Sequence, residues 1–290
     1  MTAFMNTFQI NRSRNNVCCA PDELCLKNVY PFRLATTSFI FRAGYAENVK
    51  RLGSWVDEIE LLFFESRPPD ACPTKRMIDT LGRLAADLSI TYNIHLPIDI
   101  DPGSLQAGQR SAARQVLTRF IRQTQPLSPT SFTLHLPYTM KTRDPDAVRH
   151  WQASVTEVVK AILDGSFDPG LICVENLDYP FEWAAGIVER FDLRICFDVG
   201  HLIIQEGSPE SFFSQYGDKI ELIHLHGVQG KQDHRSIDHL DPMIWTTIQS
   251  RLKTFQGTVS LEVFSYPQLR RSLEFLNRSQ LHVSSASDRP

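Results

Sequence analysis

The chain has 290 residues and a formal net charge of −3 from 30 basic and 33 acidic side chains. That balance gives no global pull toward nucleic acid or an anionic membrane. No apolar run approaches the ~20 residues of a membrane helix, the N-terminus lacks the continuous apolar stretch of a secretory signal, and a 42% hydrophobic content suits a sizeable core. The expectation is a cytoplasmic protein with neither a nucleic-acid nor a membrane partner; its oligomeric state is unknown from sequence.

Residues 1–30 are rich in Asn, Arg and Ser without periodicity and are expected to form an N-terminal extension. Cys18, Cys19 and Cys25 fall there, with no second cysteine pair or nearby His to complete a metal site. Beyond them, short β-rich runs alternate with longer amphipathic ones. The strand candidates are Leu34–Ile40, Ile59–Phe64, Thr91–Leu96, Phe132–Leu136, Leu171–Glu175, Arg194–Asp198, Ile220–Leu225 and Val259–Val263. Helices are predicted over Thr74–Asp87, Leu105–Gln123, Ala147–Leu163, Phe181–Glu189, Pro209–Tyr216, Pro242–Leu252 and Pro267–Leu276. Pro73, Asp144-Pro145, Pro209 and Pro267 mark helix starts. Cys173 and Cys196 lie inside strand-like runs and read as small buried hydrophobes.

Eight strand candidates in such alternation predict an α/β protein with one (β/α)8 TIM barrel over 31–278, followed by a polar tail over 279–290. An open doubly wound sheet would carry a Gly-rich turn after the first strand. Thr36-Thr-Ser-Phe-Ile40 is not one.

The strand ends carry the chemistry. The third ends in His95, the fourth in His135 and the fifth in Glu175-Asn176. The sixth ends in Asp198-Val-Gly-His201, the seventh holds His224 and His226, and the eighth holds Glu262. Asp233 and His234 follow on a loop, and Glu65 ends the second strand. In a parallel barrel all those ends meet on one face, where active sites lie. A lone buried His is more often hydrogen-bonded than metal-bound. Imidazoles and carboxylates repeated at one topological position are instead the ligand set of Zn, with Mn or Fe as alternatives. Carboxylates crowded together repel unless a cation joins them. The candidate ligands are His95, His135, Glu175, Asp198, His201, His224, Asp233, His234 and Glu262, enough for two or three divalent ions. His224 is preferred to His226. Asp233 beside His234 needs an irregular backbone to reach the same ion, and Gly200 is read as a turn that lets Asp198 and His201 face one point. His150, His239 and His282 are assigned to the surface.

This constellation resembles the xylose-isomerase-like barrels, specifically their endonuclease IV-like (AP endonuclease family 2) branch, over about residues 34–265. The resemblance implies a cluster of divalent metals, typically zinc, cleaving a phosphodiester. The branch's loop pattern is Asp, one residue, then His. Here Gln232 stands at the Asp position and Asp233 directly precedes His234. Tyr30-Pro-Phe-Arg-Leu-Ala-Thr-Thr-Ser38 and Val56-Asp-Glu-Ile-Glu-Leu-Leu-Phe-Phe-Glu65 further resemble the cobamide-remodelling phosphodiesterases (CbiR). That likeness implies a corrinoid substrate of the cobalamin type, hydrolysed at its nucleotide-loop phosphodiester to cobinamide phosphate and an α-riboside.

On that reading, Glu262, Glu175 and His201 are the catalytic candidates, with a carboxylate orienting water activated by the metals. Arg235 and Lys231 are candidates for helping at the phosphate. Glu65, Tyr138, Tyr179, Phe181 and Trp183 are candidates for substrate contact; as loop residues, the aromatics serve equally well to cover the helix ring. The rival readings are abasic-site DNA cleavage, a single-metal sugar isomerase or epimerase, and a barrel that only binds.

Overall fold

Why the barrel interior is polar follows from the period of a strand, in which alternate side chains face opposite sides. The computed structural model describes residues 24–67, 72–163, 167–279 and 281. Strands β1 (Arg33–Thr37), β2 (Glu58–Leu62), β3 (Thr91–His95), β4 (Phe132–Leu134), β5 (Ile172–Glu175), β6 (Arg194–Asp198) and β7 (Ile220–Leu225) follow in order. An antiparallel hairpin of β8 (Gly227–Gln229) and β9 (Gln232–Arg235) precedes the last barrel strand, β10 (Thr258–Leu261). The eight barrel strands pair in parallel and close in the order β1-β10-β7-β6-β5-β4-β3-β2.

One set of alternates (Leu34, Ile59, Leu61, Ile94, Val174, Phe197, Ile223 and Val259 among them) packs in the main core. The other set, including Glu58, Glu60, Asn93, His95, Thr133, Glu175, Asp198, His224 and Ser260, is buried yet polar. Within it Cys173, Cys196 and Leu222 form a small apolar cluster of their own, as expected of the two cysteines.

Helices α1 (Tyr45–Leu52), α2 (Lys75–Leu88), α3 (Ala107–Thr124), α4 (Pro145–Ile162) and α5 (Glu182–Phe191) lie between the first six strands. Then come α6 (Val199–Ile204), α7 (Pro209–Tyr216), α8 (Pro242–Leu252) and α9 (Tyr266–Asn277). Several of their starts are capped by side chains: Thr74 accepts from Met77 N–H, Asp144 from Asp146 N–H, Ser208 from Ser211 N–H and Asp241 from Met243 and Ile244 N–H. No helix among the described residues is long and apolar enough to cross a membrane.

Part of the segment assigned to an N-terminal extension packs on the barrel. Leu26 and Tyr30 are buried in the main core, and Leu26 N–H donates to Trp55 O at 2.9 Å. Cys25 Sγ donates to Ser54 O, while Cys18, Cys19 and His282 lie outside the described residues. At the other end Leu281 is buried in the core.

A buried acid needs a full set of partners. Glu58, at the start of β2, has one. Its Oε1 accepts from Asn93 Nδ2 at 2.8 Å and Thr258 Oγ1 at 3.1 Å. Its Oε2 accepts from Thr91 and Thr130 hydroxyls at 2.6 and 2.9 Å and lies 3.4 Å from Arg33 Nε. This network closes the floor of the barrel. Glu58→Ala should therefore destabilise the fold by about 3 kcal/mol, the cost of orphaning a buried charged network, read as a lower urea midpoint at unchanged slope.

Candidate metal centre

Parallel strands bring their C-terminal ends to one rim, and the inward alternates there converge. His95, Glu175 and Asp198 are the last residues of β3, β5 and β6. His135 and Glu262 each stand one residue beyond their strands, and His224 lies inside β7. Glu175 is the hub. Its Oε2 lies 2.9 Å from His135 Nε2, 3.4 Å from His95 Nε2 and 3.6 Å from His224 Nδ1. Its Oε1 lies 3.2 Å from His201 Nδ1. His224 Nδ1 is also 3.1 Å from Glu262 Oε2 and 3.8 Å from Asp198 Oδ2.

Asp198 caps α6 by accepting the His201 N–H on Oδ1 at 2.6 Å. Its other oxygen faces His226 Nε2 at 3.1 Å. His226 Nδ1 accepts the His234 backbone N–H at 2.9 Å, so Nε2 carries the proton and donates it to Asp198. Both ring nitrogens are thus engaged. His226 holds Asp198, and its ligand atom also lies within 4.8 Å of those of His234 and Glu262, while His224 stands among Glu60, His95 and Glu175.

Gly200 has a different job from the turn expected. It sits in the first turn of α6, and a Cβ there would lie 2.0 Å from His226 Cε1. Only glycine lets the helix pass that close to the imidazole holding Asp198.

The hairpin delivers Asp233 and His234 from β9. His234 has φ +49°, a left-handed conformation uncommon outside glycine. This is the irregular backbone that adjacent ligands require. Ligand atoms of His201, Asp233 and His234 all lie within 4.8 Å of one another. A second triad with no shared member, His95, His135 and Glu175, meets the same limit.

The donor set fits divalent ions on three counts. First, His95, His201 and His234 each turn Nδ1 to a backbone carbonyl: Leu96 O at 3.0 Å, Asn176 O at 3.1 Å and Glu262 O at 3.2 Å. That anchor fixes the tautomer and leaves Nε2 as the ligand atom, the usual outer contact of metal-binding histidines. Second, both ring nitrogens of His224, Glu60 Oε1 and Glu262 Oε2 are buried without an aligned hydrogen bond among the described residues. Third, the field at the site favours cations. Burial by itself would lower an imidazole pKa. His224 nonetheless titrates well above the usual value, because Cys196, Glu60, Glu262 and Glu175 surround it. His201 is pushed up to about 10, against its burial, by Asp198 and Glu175. Burial would raise Glu175, but His135 and His224 hold it well below the usual carboxylate range.

Sequence reading missed Glu60. It is fully buried on β2, with Oε1 3.0 Å from His224 Nε2 and Oε2 accepting from Ser260 Oγ at 2.5 Å. Two acids at period two in a wholly buried strand, Glu58 and Glu60, were the available signal. Glu65, the acid chosen there, is exposed beyond β2. Arg235 is half-buried on β9 and donates to Gln232 Oε1; Lys231 is exposed at the hairpin turn.

Tyr138 and Trp183 stack edge to face at 4.9 Å, and Tyr138 Oη donates to Thr142 O, so the two rings pack together over the β4 and β5 loops. Another aromatic group went unanticipated. Phe39 and Phe64 (4.9 Å), Phe64 and Phe264 (5.9 Å), and Phe264 and His234 (4.8 Å) form a chain of ring contacts leading to the ligands. Phe39 and Phe264 are 42% and 37% exposed, an open apolar wall beside a polar centre. His150 is exposed and His239 half-buried, both outside the cluster as expected.

Two outcomes follow for the purified protein. Elemental analysis should find at least two divalent ions per chain, with Asp233→Asn and His135→Ala each removing about one, since the two triads share no member. Gly200→Ala, by displacing His226, should weaken metal retention against a chelator by roughly 10–100-fold, the range for an outer contact.

The same architecture recurs in solved structures. A D-tagatose 3-epimerase-like protein superimposes with a TM-score of 0.67 at 18% identity, over 86% of this chain and 97% of that one. D-psicose 3-epimerase from Clostridium cellulolyticum H10, solved with D-tagatose, gives 0.68 at 16% identity, over 87% and 100%. AP endonuclease, family 2 from Brucella melitensis gives 0.65 at 15%, over 84% and 98%. At such identities the likeness is one of fold. No curated protein matches the chain in sequence. A family model does match, over residues 46–279, and on that ground the chain belongs to the xylose isomerase-like TIM barrels of AP endonuclease family 2.

Proposed function

We propose that this protein is a divalent-metal-dependent phosphodiesterase that hydrolyses the nucleotide-loop phosphodiester of cobamides, releasing cobinamide phosphate and an α-riboside. The observation that carries the metal-assisted hydrolase reading is the pair of triads without a common member, His95, His135, Glu175 and His201, Asp233, His234. One ion needs three or four protein donors. This rim offers two such sets, with Asp198, His224 and Glu262 beside them.

Ions held there, zinc foremost, would supply Lewis acidity at the phosphoryl oxygens and ready ionisation of water. The chain's own groups do the positioning. Glu262, buried beside His224 with no aligned hydrogen bond at Oε2, orients the attacking water. Glu175, kept anionic by its histidines, holds two of them in place while charge moves. Arg235 adds positive charge on the hairpin side. The open wall of Phe39, Phe64 and Phe264 supports a substrate with a large flat face, as a corrin macrocycle has.

A second reading is a sugar epimerase. The solved 3-epimerases share the fold, and Glu175, Asp198, His224 and Glu262 alone offer one ion a site with carboxylates left for proton transfer. Abasic-site cleavage, suggested by the AP endonuclease relative, fits less well with a net charge of −3.

Metal-loaded protein mixed with cobalamin should release the benzimidazole riboside, detected by chromatography, and the release should stop on chelation. Glu262→Gln should lower turnover by about 100-fold or more while the melting temperature stays near that of the wild type. Exchange of ketose epimers with cobamide untouched would replace this reading with the second one.

A further inference from the structure

Beside the metal centre lies a cavity of about 400 Å³ between the β5–α5 loop and helices α6 and α7. It is large enough for a drug-sized ligand. Phe181, Phe212 and Tyr216 make one wall, with ring centroids 4.9–5.3 Å apart. Tyr179 makes another. The hydroxyls of Tyr179 and Tyr216 are buried, and neither has a hydrogen-bond partner among the described residues. Tyr179 is 97% buried by its 3% exposure, so its orphaned hydroxyl carries a real desolvation cost unless something else meets it. Arg143 stands at the edge, with no ion pair among the described residues.

The cavity shares a wall with the ligands. Asn176 lines it and clamps the Asp198 backbone, donating from Nδ2 to Asp198 O at 2.9 Å and accepting Asp198 N–H on Oδ1 at 2.7 Å. Gln205 lines it too, and donates to His201 O at 3.2 Å. A group seated there is therefore next to the His201 side of the metal centre.

Phe181 and Tyr216 offer ring surface, and Gln205, Ser208, Ser211 and Gln215 line the same space, so what fits has a flat apolar face and a hydroxylated edge. We infer that this cavity is the subsite for the smaller arm of the phosphodiester, a planar nitrogen heterocycle with its ribose, with the side chains of Gln205, Ser211 and Gln215 at the polar edge and Arg143 at the entrance. The inference rests on the phosphodiesterase reading and adds where the leaving nucleoside sits. The exposed Phe39–Phe264 wall then remains for the larger arm.

The test is equilibrium binding, which needs no turnover. Benzimidazole riboside is titrated by calorimetry into metal-loaded wild-type protein, and into metal-loaded Ser211→Trp. Ser211 is an exposed residue of α7 at the cavity, so the indole fills the space from a surface position. The wild type should bind the riboside, and Ser211→Trp should weaken it by about tenfold or more with an unchanged far-ultraviolet spectrum. Tyr179→Phe, which removes one orphaned hydroxyl and keeps the ring, should weaken it less. If the wild type hydrolyses cobamide but binds no riboside, or binds it equally well in Ser211→Trp, the subsite is wrong and the phosphodiesterase reading survives. Riboside binding without any cobamide hydrolysis would remove that reading, and the leaving-group assignment with it.

Discussion

A carboxylate buried at the end of β5 organises this molecule. Glu175 has 1% exposure and four imidazoles within 3.6 Å. A charge in that position is tolerable only because the histidines of β3, β4, β7 and α6 are held around it, and they stay only because the barrel closes. Closure in turn puts every inward alternate into a space with no water to fall back on. The interior has answered with polar pairing rather than the branched aliphatic layers of an ordinary barrel. Glu58 closes the floor with hydroxyls and an amide, and Glu60 links the floor to His224 in the rim.

Much of this was legible in the sequence. All eight barrel strands were found, because each is a short apolar run bounded by turn residues, and β6 and β7 were found to the residue. The strand ends pointed to side chains that the structure brings together, since an acid or imidazole closing a buried run demands a partner. Four strands and helices escaped, β8 together with its hairpin partner β9 among them. Helix α1, Tyr-Ala-Glu-Asn-Val-Lys-Arg-Leu, buries only Asn48, Val49 and Leu52, too few apolar positions to show a period. Helix α6 is six residues long and reads as the tail of the Asp198 motif. Strand β9, Gln-Asp-His-Arg, has no apolar alternation at all, being a two-stranded ribbon whose purpose is to present Asp233 and His234.

Glu60 escaped for a different reason. Its strand is legible, but an acid inside a buried run is less conspicuous than Glu65, which follows the run. In this barrel the donors form two levels. His95, Glu175 and Asp198 end their strands, while Glu60 and His224 lie a step deeper. A search along the strand ends reaches His224 in β7 but not Glu60 in β2. Period two within β2, with both Glu58 and Glu60 turned inward, is what reveals Glu60.

Gly200 shows how closely the outer contacts are fitted. From sequence it reads as a turn that lets Asp198 and His201 face one point. In place, it is the gap into which His226 fits, and His226 joins two otherwise separate pieces of the site. Through Nε2 it fixes Asp198; through Nδ1 it receives the backbone N–H of His234, the residue whose left-handed conformation turns Asp233 and His234 inward together. One buried imidazole therefore sets the spacing between the strand-borne ligands and the hairpin-borne ones. The missing Asp-x-His pattern on that hairpin loses its importance in this light. A left-handed His234 brings a carboxylate oxygen of the adjacent Asp233 within 4.8 Å of the His201 and His234 ring nitrogens, where the intervening residue of the usual pattern is absent.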